Sequence, residues 1–405
     1  METELTSRIT NFNQHRDPNF LALKYKAMYE DKYRFFRATA HLFFEDIPAD
    51  SFIHKAPPVW VCGDLHLENF GSYKSDNRIA YFNINDFDEC FLASPLLDVV
   101  RLLTSLHVAT SSLKIPLKVV YKLNDIFIDT YFQKLEEGYI RVLEKETTSG
   151  VVKNFLEEVQ DRKREVFIKK KTFVDKGKIK LLIDNVHTIK IKKEEKKLII
   201  NSIKKWASKM KQPSFFEVKD IAQRISGTAS LGLKRYIVLI EGKGTPSANY
   251  LLDIKETRPS CLNGFVKIKQ PKWNSEAERI IEIQKRFISD PPALLQSITI
   301  QDKNFVVKEL QPSADRIEYK LFSKDVKKLS SILNHMACIY AWSNLRTGGR
   351  QESAIADELI LFAKNKQTLK KELKEYALSY SEKIDLYYSE YRKAFKKGAF
   401  NKKIK

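Results

Sequence analysis

The sequence predicts an α+β protein of two lobes, a helical lobe formed by both ends of the chain and a small β-rich lobe formed by its middle. Three observations predict it. Apolar residues recur at helical spacing through residues 20–44 and 96–108. From 224 to 310 the pattern changes to Gly-containing, β-branched runs separated by turns. From 323 the chain is again helical in pattern nearly to its end. The expected division is 1–165, helical with two polar loops; 166–215, a Lys-rich connector or insertion; 216–312, the β-rich lobe; and 313–405, helices completing the large lobe.

Each element has a local cause. Asp17-Pro18 supplies an N-cap and a first-turn proline for the helical stretch 20–44, and Pro57-Pro58 stops it. Val59-Trp60-Val61-Cys62 reads as a short buried strand, 63–71 as a Gly-flanked polar loop, and 79–84 as a second strand. Ser94-Pro95 opens the amphipathic helix 96–108. More helix is expected to about residue 143 and again over 151–166. In the middle, strands at 233–241 and 250–256 are joined through Gly242-Lys243-Gly244. A helix at 275–287 and a second hairpin at 295–300 and 305–310 follow.

Composition narrows the class. A chain of 405 residues with 43% hydrophobic content can bury a large core, which argues against disorder. No apolar run approaches the ~18 residues of a membrane span. Met1-Glu2-Thr3-Glu4-Leu5 lacks the basic and apolar regions of a secretory leader. Cys62, Cys90, Cys261 and Cys338 form no CxxC pair, so the expected setting is the reducing cytoplasm. The net charge of +20 is concentrated in 163–211 and the C-terminal tail. It suits an anionic partner such as nucleic acid, a membrane surface or a phosphorylated substrate. A solvated Lys-rich surface explains it as well, and no nucleic-acid motif accompanies it.

The chemistry concentrates in two segments. Gly63-Asp64-Leu65-His66-Leu67-Glu68-Asn69 places Asp64 and Asn69 in the D-x-x-x-x-N spacing of a phosphoryl-transfer loop. A carboxylate there can orient the attacking hydroxyl. The amide oxygen can ligate magnesium without adding charge. Asn85-Asp86-Phe87-Asp88-Glu89 follows a strand and offers carboxylates, Asp86 foremost and Asp88 beside it, for the magnesium that bridges nucleotide phosphates. An Asp-rich surface turn would account for one carboxylate but not for both segments flanked by strands. His66 is expected either to brace the loop or to touch phosphate.

Gly63-Asp64-x-His66-x-x-Asn69 resembles the GDxHxxN loop of aminoglycoside phosphotransferases and choline kinases, and Asn85-Asp86-Phe87-Asp88 resembles their metal motif. That resemblance implies a protein-kinase-like fold with Asp64 as base, Asn69 and Asp86 as metal ligands, and Asp98, with Arg101 beside it, as support for the loop. The chain also resembles, over most of its length, a bacterial family known as domain of unknown function 2252. The carriers include 26–37, 82–89, Asp98-Val99-Val100-Arg101-Leu102, 224–232, 253–260 and 309–313. Ala38, Lys308 and Tyr340 depart from the residues usual there.

Gly227-Thr228-Ala229-Ser230-Leu231-Gly232 resembles a phosphate-covering glycine loop, with Gly227, Ser230 and Gly232 as its small residues. Lys255, on the next strand, resembles the lysine that pairs nucleotide phosphates. Its expected acidic partner on the following helix is Glu278 or Glu282. Because these parts follow the catalytic loop in the chain, a kinase-like fold here would be circularly permuted. The expected function is therefore an ATP- and magnesium-dependent phosphotransferase acting on an unspecified acceptor, with transfer of AMP also open. The competing readings are a nucleotide-binding pseudokinase or nucleic-acid-associated protein and, further off, a metallophosphoesterase. The last needs more His, Asp and Asn ligands than this sequence gathers.

Overall fold

The computed structural model describes residues 3–244, 248–312, 317, 319 and 325–400. The expected helix start at Ser323, Ser313 at the end of the 309–313 motif, and the tail beyond 400 lie outside the described residues.

The chain opens with helices α1 (Glu4–Asn13), α2 (Pro18–Glu30), α3 (Lys32–Ala38) and α4 (Ala40–Glu45). The expected single stretch over 20–44 is broken because Asp31 is extended and accepts the Arg34 amide, capping α3. Strands β1 (Val59–Val61), β2 (Phe70–Lys74), β3 (Ala80–Ile84) and β4 (Phe91–Ala93) form two small antiparallel pairs, β1 with β4 and β2 with β3. Helix α5 (Pro95–Val108) is capped by Ser94 and is buried on every side. It is followed by α6 (Thr110–Leu113), α7 (Leu117–Glu137), α8 (Gly150–Asp161) and α9 (Arg164–Lys169). The expected helix to 143 stops at Glu137, where Gly138 takes the C-cap.

The Lys-rich stretch differs most from expectation. It contains β5 (Thr172–Asp175), β6 (Lys178–Leu181), β7 (Thr188–Ile189) and α10 (Lys193–Ala207). It supplies an edge strand and a cover to the sheet. With β8 (Val218–Arg224), β9 (Arg235–Ile240), β10 (Tyr250–Glu256), and, beyond α11 (Glu276–Phe287), β11 (Gln296–Ile300) and β12 (Lys303–Glu309), it builds a six-stranded antiparallel sheet ordered β11-β12-β10-β9-β8-β7. Ile199 and Ile203 of α10 bury one face against Val238, Leu252, Ile254 and Val307. Ile168, Ile179 and Leu181 cover part of the other against Ile237, Leu239 and Leu251. Lysine side chains such as Lys193, Lys197, Lys204 and Lys205 remain in solvent.

Helices α12 (Val326–Thr347), α13 (Ala356–Ala363) and α14 (Lys366–Lys396) return to the first part of the chain. One large apolar core joins α1–α5, α7, α8 and α11–α14. Tyr388 and Tyr391 on α14 donate to the carbonyls of Tyr29 and Tyr25 on α2, both at 2.8 Å. The two chain ends thus pack into one helical body. Among the described residues no helix is long and apolar enough to cross a membrane. All four cysteines are free and buried.

Candidate nucleotide and metal cleft

The loop between β1 and β2 is held from below by α5. Asp98, in the first turn of that helix, accepts from the amides of Cys62 (2.9 Å), Gly63 (3.1 Å) and Leu65 (3.4 Å). Arg101 stands three residues on, on the same helix face. Its Nε donates to Asp64 Oδ1 at 2.9 Å and its Nη2 to the Phe36 carbonyl at 2.9 Å, and its guanidinium lies 3.6 Å from the Phe36 ring centroid. Burial pushes the Asp64 carboxyl up to about 7, with Arg101 pulling the other way. Burial likewise pushes Asp98 up to about 6 against its amide donors.

Asn69 staples the two motif segments together. Its Nδ2 donates to the Asp64 carbonyl at 3.1 Å, and its Oδ1 accepts the Asp86 amide at 3.0 Å. Both ring nitrogens of the buried His66 face N–H donors, Arg37 Nε and the Glu68 amide, each at 3.1 Å. A neutral imidazole accepts at one nitrogen, so either tautomer meets one of these donors. Arg37 also pairs with Glu68.

The sheet supplies the opposite wall. On β10, Leu252 and Ile254 point to the α10 side, so Asp253 and Lys255 share the other face. Lys255 Nζ lies 2.5 Å from Asp88 Oδ2 and 3.5 Å from Asp86 Oδ1. Burial disfavours ionisation of Asp86, yet the Lys255 and Lys308 ammoniums prevail and hold its carboxyl down at about 2. Asp88 is pushed up by burial and by the Asp86 charge beside it. The buried Asp253 pairs with both Arg235 and Arg224. Lys308, opposite Asp253 on β12, has its Nζ 3.5 Å from the Asn85 carbonyl. The resulting cleft of about 210 Å³ is lined by Asn69, Asp86, Asp88, Ser230, Lys255 and Lys308, among others.

Two expectations change. Neither Glu278 nor Glu282 is the acidic partner of Lys255. Glu278 is engaged by the Asn274 amide at the start of α11, and Glu282 faces Lys285 along that helix. Asp86 and Asp88 take that place. The glycine turn, expected to cover phosphate, also packs within the fold. Gly227 and Ser230 line the cleft, Ser230 Oγ donates back to the Ser226 carbonyl, and Gly232 is packed against Arg16. Sequence reasoning missed Arg16 and Arg235, and it assigned no site role to Arg224, Asp253 or Arg258, which lie in the segments that carry the family resemblance. The alternation on β10 carried a signal for Asp253, and the family-resembling segments one for Arg224 and Arg258; Arg16 and Arg235 carry none outside the folded chain.

The chain matches the family described as "Uncharacterized protein conserved in bacteria (DUF2252)" over residues 16–394. The chain belongs to the DUF2252 family. No curated protein and no solved structure matches it. In this DUF2252 protein no group of three or more His, Cys, Asp or Glu side chains gathers as a metal cage among the described residues. Magnesium does not require one, since it is commonly held by one or two carboxylates with water and phosphate oxygens. The donor set of Asp86, Asp88 and the Asn69 amide fits that ion.

The raised carboxyl of Asp64 gives a pH signature. An acid whose folded pKa lies above its unfolded value contributes most below about pH 4, and that contribution is lost as pH rises through about 7. At about 1.4 kcal/mol per unit the loss is on the order of 4 kcal/mol. His41 and His107, both lowered by burial, titrate with the opposite sign, so a difference measurement is required. Urea unfolding at pH 4 to 8 of wild type and Asp64→Asn is expected to show wild type losing stability relative to the variant across that window. Parallel curves would remove the raised pKa.

Proposed function

We propose that this protein is a magnesium-dependent, ATP-binding phosphotransferase of kinase-like architecture, with its nucleotide lobe placed after its catalytic loop in a circularly permuted order. One contact carries the reading. Lys255, on the sheet, reaches Asp86 and Asp88, which Asn69 ties to the Asp64 loop. A lysine, a carboxylate pair and the loop asparagine face the cleft, and Asp64 lines the small cavity that adjoins it through Asn69, Asp86 and Asp88; these are the parts that phosphoryl transfer needs, because its catalysis rests on positioning and charge neutralisation.

Asp86, Asp88 and Asn69 would hold magnesium, which neutralises phosphate charge when bound. Asp64 sits near neutrality, where a carboxylate serves best as a general base toward an acceptor hydroxyl. Arg101 holds its Oδ1 and so orients it. Lys255 and Lys308 supply the positive wall for phosphate oxygens. A binding-only role has one observation in its favour: the Lys255–Asp88 ion pair must open for both groups to meet a magnesium nucleotide.

Thermal unfolding with nucleotides, with and without magnesium, tests the reading. Wild type is expected to be stabilised by ATP with magnesium, by about 2.7 kcal/mol at a hundredfold excess over Kd. Asp86→Ala and Lys255→Ala are expected to lose that gain. No magnesium-dependent shift with any nucleotide in wild type would sink the proposal. Product analysis after incubation with ATP and cell extract separates phosphate transfer, AMP transfer and binding alone.

A further inference from the structure

The turn between α1 and α2 carries a cation the phosphotransfer motifs do not account for. Arg16 is 5% exposed. Its Nη1 donates to the carbonyls of Ala229 (2.8 Å) and Leu231 (2.6 Å) in the glycine turn. Its Nε and Nη2 are buried with no hydrogen-bond partner. Unsatisfied buried donors on a charged group are costly and rare, so their presence points to something they receive.

Their surroundings indicate what. Arg16 lines a cavity of about 30 Å³ with Asp64, Asp86, Asp88, Ser230 and Arg258. That is about the space of one water, and the cavity shares Asn69, Asp86, Asp88 and Ser230 with the main cleft. The neighbouring cations are already engaged. Arg258 pairs with Glu89 at 2.9 Å, and Lys24 donates to Asn13 Oδ1 at 2.8 Å. The approach of Arg16 is built in: a Cβ on Gly232 would stand 2.6 Å from Arg16 Cβ, and the Asp17 amide donates to the Gly232 carbonyl at 3.0 Å. Burial and the Arg258 charge lower Arg16 only to about 9, so it stays cationic at neutral pH.

We propose that Arg16 donates, through Nε and Nη2, to an oxygen of the terminal phosphoryl group of a bound nucleoside triphosphate, closing the cleft from the N-terminal side. This rests on the nucleotide reading above. A guanidinium suits the task because its planar fork can hold the turn carbonyls with one nitrogen and a phosphoryl oxygen with the others. The carboxylates around it would repel a bare anion, so the ligand is a phosphate that arrives with a divalent cation.

Calorimetric titration of wild type, Arg16→Gln and Arg16→Lys with magnesium ADP and with a magnesium complex of a non-hydrolysable ATP analogue tests it. Wild type is expected to prefer the triphosphate. Arg16→Gln is expected to lose about tenfold or more in triphosphate affinity while ADP affinity holds. A residue that only braced the glycine turn would lower both affinities equally, and that result, or no change in either, overturns the proposal. Should Arg16→Gln not fold, Arg16→Lys gives the same comparison. Its single ammonium cannot serve both the carbonyls and the phosphate, so a triphosphate preference equal to wild type overturns the role of Arg16. If wild type binds neither nucleotide, the nucleotide reading itself fails, a result distinct from an unchanged preference in the variants.

Discussion

Gly63→Ala is expected to cost more than about 4 kcal/mol and to leave little folded protein, the range reached when a substitution meets atoms that cannot move. Gly63 has φ +85°, and a Cβ there would lie 1.9 Å from the Glu89 carbonyl oxygen and 2.5 Å from its carbon. Both partners are pinned. The Gly63 amide is bound to Asp98, while the Glu89 carbonyl accepts Ser260 Oγ at 2.9 Å and the Glu89 carboxylate accepts the Cys261 amide and Arg258. The close approach is what brings the Asp64 loop against the Asp86–Glu89 segment. Gly264→Ala is the control, because Gly264 has φ +96° but open space around it. It should show the backbone strain alone, about 1–2 kcal/mol. Urea unfolding of both variants separates clash from strain. Equal losses would refute the Gly63–Glu89 contact as a determinant of the fold.

The second large effect is expected at Arg101. The side chain is fully buried, with Asp64 on one side and the rings of Phe36 and Phe43 at 3.6 and 5.0 Å from its guanidinium carbon. Arg101→Met keeps much of the apolar packing but leaves Asp64 without its cation. Removing one partner of a buried pair costs about 3–5 kcal/mol, because the remaining charge is uncompensated. The Asp64 carboxyl should then rise above its present value near 7. Adding Asp64→Asn to Arg101→Met should recover part of the loss at a pH above that raised value, where the carboxylate stands uncompensated. A double variant no more stable than Arg101→Met would mean that the pair is not what Arg101 contributes. The recovered protein should still lack any activity that depends on Asp64.

Much of the local structure was legible because its causes are local. Asp17-Pro18, Ser94-Pro95 and Ser275 start helices where their side chains and rings satisfy or replace the first amides. The hairpins β9–β10 and β11–β12 follow from β-branched runs with turns between them. Strand β8 was missed because Val218-Lys219-Asp220-Ile221-Ala222-Gln223-Arg224 reads as polar; it forms because β9 offers it a partner. The Lys-rich stretch read as a connector or insertion because charge dominates its composition. Its few apolar residues, among them Ile199 and Ile203, are spaced to face the sheet.

The sequence by itself determined the chemical vocabulary of the opening segment: an Asp and an Asn at fixed spacing in one loop, and carboxylates after the next strand. Those facts depend on neighbours in the chain, where spacing carries information. Only the tertiary structure decided which groups meet. Lys255 pairs with Asp86 and Asp88 rather than with a glutamate of α11, and Arg16 packs on a glycine turn more than two hundred residues away. The physical reason is that such pairings are set by how the sheet and the helical core pack, and backbone periodicity extends no further than the element that bears it.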